Sequence, residues 1–150
     1  MTRKEAGKVS MPPLKTFGDA VECGKHYKQL YCAGPIPTFD GIMVRFDRVD
    51  FLHLFFESSK RDGNKDTFST RRAERIDWIK AALQDPKAEL FQGYDNKTKV
   101  CRPDRRVCVV SGNYVVIIVL TDVKKAKIVT AFVIDDPEVL KSLKASPKWK

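Results

Sequence analysis

Tyr114-Val-Val-Ile-Ile-Val-Leu120 is an unbroken apolar run dominated by β-branched residues. A run this short and this branched reads as a strand covered on both faces. It falls well short of the roughly 20 apolar residues that a bilayer-spanning helix needs. Asp122-Val-Lys-Lys-Ala126 interrupts it with turn-compatible chemistry, and Lys127-Ile-Val-Thr-Ala-Phe-Val-Ile134 resumes the strand pattern. Two such runs joined by a few polar residues predict an antiparallel hairpin. The rest of the chain must pair with that hairpin or pack on it.

At 150 residues the chain is long enough for one domain with a sizeable core. Residues 1–15 are polar and basic with a Pro-Pro step, and read as a flexible arm. Thr16–Tyr31 is a candidate helix with Phe17, Val21 and Leu30 as buried positions, although Gly24 sits inside it. Gly41–Phe46 reads as a short strand. A helix over Phe51–Glu57 follows, with Asp47 or Asp50 as its cap. Ser69 is placed to cap a longer helix whose Ile76, Ile79 and Leu83 recur at helical spacing; Asp85-Pro86 ends it. Ala88–Gln92, Thr98–Arg102 and Arg106–Val110 are strands, with turns at Asp95–Lys97, Pro103–Arg105 and Ser111–Asn113. Pro137 opens a short last helix, and residues 146–150 form a basic tail. The expected fold is therefore α+β over residues 16–145: N-terminal helices packed on a four- to five-stranded antiparallel meander.

The net charge of +9 favours a polyanionic partner, nucleic acid before a membrane surface; a lysine-rich solubilising surface fits the charge equally well. No apolar segment follows the basic N-terminus, so neither a secretory signal nor membrane attachment is expected. A cytoplasmic setting with reduced cysteines follows. Cys23, His26 and Cys32 only loosely resemble metal-ligand spacing, so no metal and no cofactor is expected. If the Pro103–Arg106 loop closes a hairpin, Cys101 faces Cys108 across it as two small, partly buried hydrophobes.

Phosphate-loop, dinucleotide, zinc-protease and nucleophile-elbow patterns are absent, and the carboxylates are scattered. What remains are His53, several cations and a few hydroxyls. Such parts suit RNA cleavage through its own 2′-OH: a base takes the proton, cations steady the phosphorane, and an acid protonates the leaving oxygen. Each part has a plainer explanation. His53, among Phe51, Leu52, Leu54, Phe55 and Phe56, is more often a packing residue. Arg71, Arg72 and Arg75 are usually a solvated helix face, yet cations at a helix start oppose its dipole unless an anion is near. Lys99, Arg102, Arg105 and Arg106 discourage edge pairing as readily as they bind phosphate. Thr130 is simply a good strand residue.

Phe51–Phe56, Phe68-Ser-Thr-Arg-Arg-Ala-Glu-Arg-Ile-Asp-Trp-Ile-Lys80, Asn113–Leu120 and Val129-Thr-Ala-Phe-Val-Ile-Asp135 occur in order. Together they resemble the phage-associated branch of the barnase–EndoU–colicin–RelE nuclease superfamily, from about Gly41 to Asp135. The resemblance implies N-terminal helices on a four-stranded antiparallel sheet and a metal-independent, toxin-like ribonuclease. It also implies that His53, Arg72, Arg75 and Thr130 form the catalytic set. Nucleic-acid contacts are assigned to Arg71, Lys99, Arg102, Arg105, Arg106 and Tyr114. RNA (tRNA or mRNA) is the expected partner, and a protein inhibitor a further one. The alternatives are a non-catalytic nucleic-acid-binding module and a phage accessory protein. If the basic hairpin binds phosphate, each lost contact among Lys99, Arg102, Arg105 and Arg106 should flatten the log K versus log salt slope by about 0.7 for single strands. Filter binding across a salt series checks this. Unchanged affinity and slope after all four substitutions would leave only solubility.

Overall fold

The computed structural model describes residues 11–57, 67–95 and 100–145, with backbone only at 92–95, 100–106, 139 and 142. Helix α1 spans Ala20–Leu30, strand β1 Ile36–Pro37, β2 Met43–Arg45, α2 Asp50–Phe55 and β3 Phe56–Glu57. Next among the described residues come β4 Thr67–Phe68, α3 Thr70–Glu74 and α4 Ile76–Leu83. Four long strands follow, β5 Glu89–Asp95, β6 Val100–Ser111, β7 Tyr114–Asp122 and β8 Lys125–Val133, and then α5 Pro137–Lys144.

The expected hairpin is present. β7 pairs antiparallel with β6 and β8, and is interior to a six-stranded sheet of order β1-β2-β8-β7-β6-β5. Gly112, at φ 64, makes the left-handed turn that reverses β6 into β7. The chain is α+β, but the sheet is mixed rather than a pure antiparallel meander. β2 joins β8 in parallel, Met43 opposite Lys125, and β1 pairs antiparallel with β2. The helices are not all on one face either. Tyr114, Val116 and Ile118 of β7 point into the main core with α1, α2, α3 and α4. Val115 joins Phe91, Cys108, Val110 and Ile134 in a second cluster, which Leu140 and Leu143 of α5 cover. Burial on both faces is why the β7 run is unbroken.

Several boundaries differ from the sequence reading for identifiable reasons. In α1 the buried positions are Cys23 and Tyr27, continued by Tyr31, while Val21 is 65% exposed and Phe17 and Leu30 are half-buried. Tyrosine can face the core here because each hydroxyl has a carbonyl to donate to, Tyr27 to Asp47 at 2.6 Å and Tyr31 to Ile76. Neither aspartate caps α2. Val49 holds that position without a side-chain bond, and the helix ends at Phe55. Phe56 and Glu57 instead pair with Phe68 and Thr67. Ser69 does cap α3, accepting from the Arg72 amide at 3.2 Å, but the helix breaks at Arg75 before α4 begins.

Pro103–Arg105 is not a turn. β6 runs through it, and the β5 register jumps from Gln92 opposite Val107 to Gly93 opposite Arg102. Residues 103–106 thus have no β5 partner, and a bulge of this kind tolerates the missing N–H of proline. Cys108 lies opposite Phe91 and Ile117, and Cys101 opposite Tyr94, so the two cysteines do not face each other. Residues 11–15 of the expected arm are fixed: the Lys15 amide donates to Glu74 at 2.9 Å and Met11 packs on the core. The basic tail 146–150 lies outside the described residues. Among the described residues no helix is long and apolar enough to cross a membrane.

His53 is exposed rather than packed among the phenylalanines, whereas Ile118 is 1% exposed. Ile118→Ala should therefore cost about 2–5 kcal/mol in urea unfolding. His53→Ala should stay within about 0.5 kcal/mol of the parent in the same measurement.

Candidate anion site

The break between α3 and α4 puts three arginines on one cavity of about 180 Å³. Arg71 and Arg72 come from the single turn of α3 and Arg75 from the break itself, beside Ser69. The wall opposite is Ala131, Phe132 and Val133 of β8 with Tyr114 of β7, and among the described residues Glu57 at the end of β3 is the one carboxylate in the lining. Because α3 is only five residues long, Arg71 and Arg72 lie in its last turn as well as near its start. The expected conflict with a helix dipole therefore largely disappears. The cavity lining is cationic instead because it gathers three guanidiniums, of which Arg71 is also tied to Asp135 and Arg75 lies near Glu74.

Each arginine is held differently. The Arg75 side chain is 17% exposed; its Nη1 donates to the Arg71 carbonyl at 2.8 Å and lies 3.6 Å from Glu74. Its guanidinium carbon sits 5.0 Å from the Trp78 ring centroid. The Trp78 indole donates to the Pro12 carbonyl at 2.8 Å and meets Tyr114 edge-on at 5.5 Å. Arg75 Nε is buried and has no hydrogen-bond partner among the described residues. Arg72 Nη1 donates to the His53 carbonyl at 3.3 Å and approaches Thr130 Oγ1 at 3.5 Å. Thr130 Oγ1 in turn donates to the same carbonyl at 3.4 Å. Arg71 pairs with Asp135 at the surface. Burial pushes the Tyr114 phenol well above its ordinary range, while Arg72 and Arg75 pull it back down. The phenol therefore stays protonated at neutral pH.

Of the residues expected from sequence, Arg71, Arg72, Arg75 and Tyr114 meet in the cavity. Thr130 and the His53 backbone meet at Arg72, but His53 is not among the lining residues and its side chain is exposed. Lys99 lies outside the described residues, as do the side chains of Arg102, Arg105 and Arg106. The backbone pairs Arg106 with Val119, five residues along β7 from Tyr114, or about 17 Å at roughly 3.4 Å per residue. Glu57 was not expected: the apolar spacing of Phe51–Phe56 suggested a helix ending in it. The available signal was the matching pair of aromatics, Phe56 and Phe68, on either side of a polar loop.

Among the described residues no three of His, Cys, Asp and Glu group to hold a metal. Cys23 is buried, which pushes its thiol up to about 12, and His26 is bonded to Asp77 at 2.9 Å. Comparison with family models, with curated proteins and with solved structures finds no match to the chain.

The hydrogen bond from Arg71 holds the Asp135 carboxyl below the usual aspartate range. A depressed folded value means that the tie persists above the unfolded pKa and is lost only as pH falls through the folded one. Arg71→Ala should raise the Asp135 titration toward the ordinary range in a carboxyl-detected NMR titration. An unmoved midpoint would show that the pair does not form in solution.

Proposed function

We propose that the arginine cavity receives a phosphate of RNA and that the chain cleaves RNA through its own 2′-OH, with no catalytic metal. The observation that carries this is the buried, unpartnered Arg75 Nε in a cavity shared with Arg71 and Arg72. A buried donor without a partner costs about 1–3 kcal/mol, and a phosphate oxygen would satisfy it. In this reading Glu57 takes the 2′-OH proton and O2′ attacks phosphorus. Arg72 and Arg75 steady the charge that develops on the phosphorane oxygens. The P–O5′ bond then breaks, and His53, on the helix whose backbone binds Arg72, returns a proton to O5′. The products are a 2′,3′-cyclic phosphate and a 5′-OH. Thr130 holds Arg72 in place rather than touching RNA.

The ribonuclease class, the phage-associated and toxin-like setting, a cytoplasmic RNA target and a protein inhibitor all belong to this reading. The exposed His53 favours a second reading, a phosphate-binding module without cleavage.

Incubation with total RNA in EDTA separates the two. Cleavage should leave cyclic phosphate ends and spare 2′-O-methyl RNA. Glu57→Gln should slow it by roughly 10²–10⁴-fold with the fold intact by circular dichroism. Arg72→Ala should reduce cleavage more than RNA binding. Bound but intact RNA would leave the binding module, and neither binding nor cleavage would overturn both.

A further inference from the structure

A second concavity, of about 380 Å³, opens between α1 and α2 and shares no residue with the arginine cavity. Its apolar surface includes Val21, Gly24 and Phe51, and its cations are Lys25, Lys28 and Arg48, with no carboxylate in its lining. None of the three cations enters an ion pair among the described residues. The nearby acids are committed elsewhere: Asp19 caps α1, Glu22 accepts from the Gly18 amide, and Asp47 faces Arg45 and Lys127.

Gly24 is the informative residue. A glycine inside a helix destabilises it relative to alanine. A Cβ at Gly24 would find its nearest neighbour, the Phe51 ring, at 3.7 Å, an ordinary contact. Packing therefore does not require glycine there; its effect is to keep the groove open above Phe51.

We propose that this groove docks an acidic peptide segment of a partner protein. The segment would insert one or two large apolar side chains over Gly24 and Phe51 and set carboxylates against Lys25, Lys28 and Arg48. The charge pattern selects the occupant. The chain is +9 overall, and its residues 1–10 and 146–150 are both rich in cations, so a second copy or its own ends are repelled. The apolar floor and the absence of an unpartnered buried donor distinguish this groove from the arginine cavity.

Three synthetic helical peptides with a fluorescent label test this on the full chain. The first has a Leu/Phe stripe flanked by Glu, the second the same stripe flanked by Lys, and the third an Ala stripe flanked by Glu. The first should bind saturably, and the other two about tenfold or more weakly. On the unaltered protein, its amide shift changes should cluster in α1 and α2 rather than around Arg72 and Tyr114. Joint Lys25→Glu, Lys28→Glu and Arg48→Glu substitution, or Gly24→Leu in a protein still folded by circular dichroism, should abolish that binding. Equal binding of the Ala-stripe peptide, shifts centred on the arginine cavity, or a single-stranded RNA oligonucleotide shifting the same α1 and α2 amides would overturn the proposal. So would the absence of saturable binding by the first peptide.

Discussion

The ion pair between Asp50 and Lys127 joins the helical layer to the sheet. The Asp50 side chain is 5% exposed and accepts from Lys127 Nζ at 2.7 and 2.9 Å, and from the Asp47 amide at 3.0 Å. A buried carboxylate is tolerable only with such partners, so α2 cannot slide along β8 without stranding a charge. Lys127 is also the last β8 residue to pair with β2, opposite Arg45. Beyond it β8 runs past α2 and α3 toward Ala131–Val133, the wall of the arginine cavity. One electrostatic contact thus sets the height at which the His53 carbonyl meets Arg72 and Thr130.

The other organising condition is that β7 is covered from both sides. Helices α1 to α4 seal one face and α5 the other, so the strand can be apolar throughout. Tyr114 opens that strand, paired with Val133, and brings a phenol to the floor of a cationic cavity. Arg72 and Arg75 face a packed surface as a result, and their freedom is limited by Trp78, the Arg71 carbonyl and the His53 carbonyl. Such preorganisation is what the proposed phosphate contact would draw on.

Much of this was legible in the chain. The β7–β8 hairpin follows from branched apolar runs, the Ser69 cap from its place before an apolar periodicity, and the α5 start from Pro137. The convergence of Arg71, Arg72 and Arg75 was legible as crowding of cations, although the reason given for it, an opposed helix dipole, fails once the helix breaks at Arg75. Other features are decided by tertiary contacts that no local pattern carries. Tyr27 and Tyr31 take the core positions of α1 and leave Val21 exposed because carbonyls on other elements receive their hydroxyls. Pro103 stays within a strand because its neighbours lack β5 partners. β2 joins in parallel through its pairing with Lys125–Lys127. Glu57 enters the cavity only because Phe56 pairs with Phe68 across residues far apart in sequence.

Trp78 links the segment at Pro12 to the cavity, since its indole donates to one end while its ring lies beneath Arg75 and against Tyr114. The chain has only two tryptophans, and the other, Trp149, lies in the C-terminal tail. The emission of Trp78 is therefore a built-in optical gauge of the guanidinium above it. Any anion that draws Arg75 off the ring changes that signal with no label attached. Trimming or tagging the chain close to Pro12 alters the gauge and the cavity together.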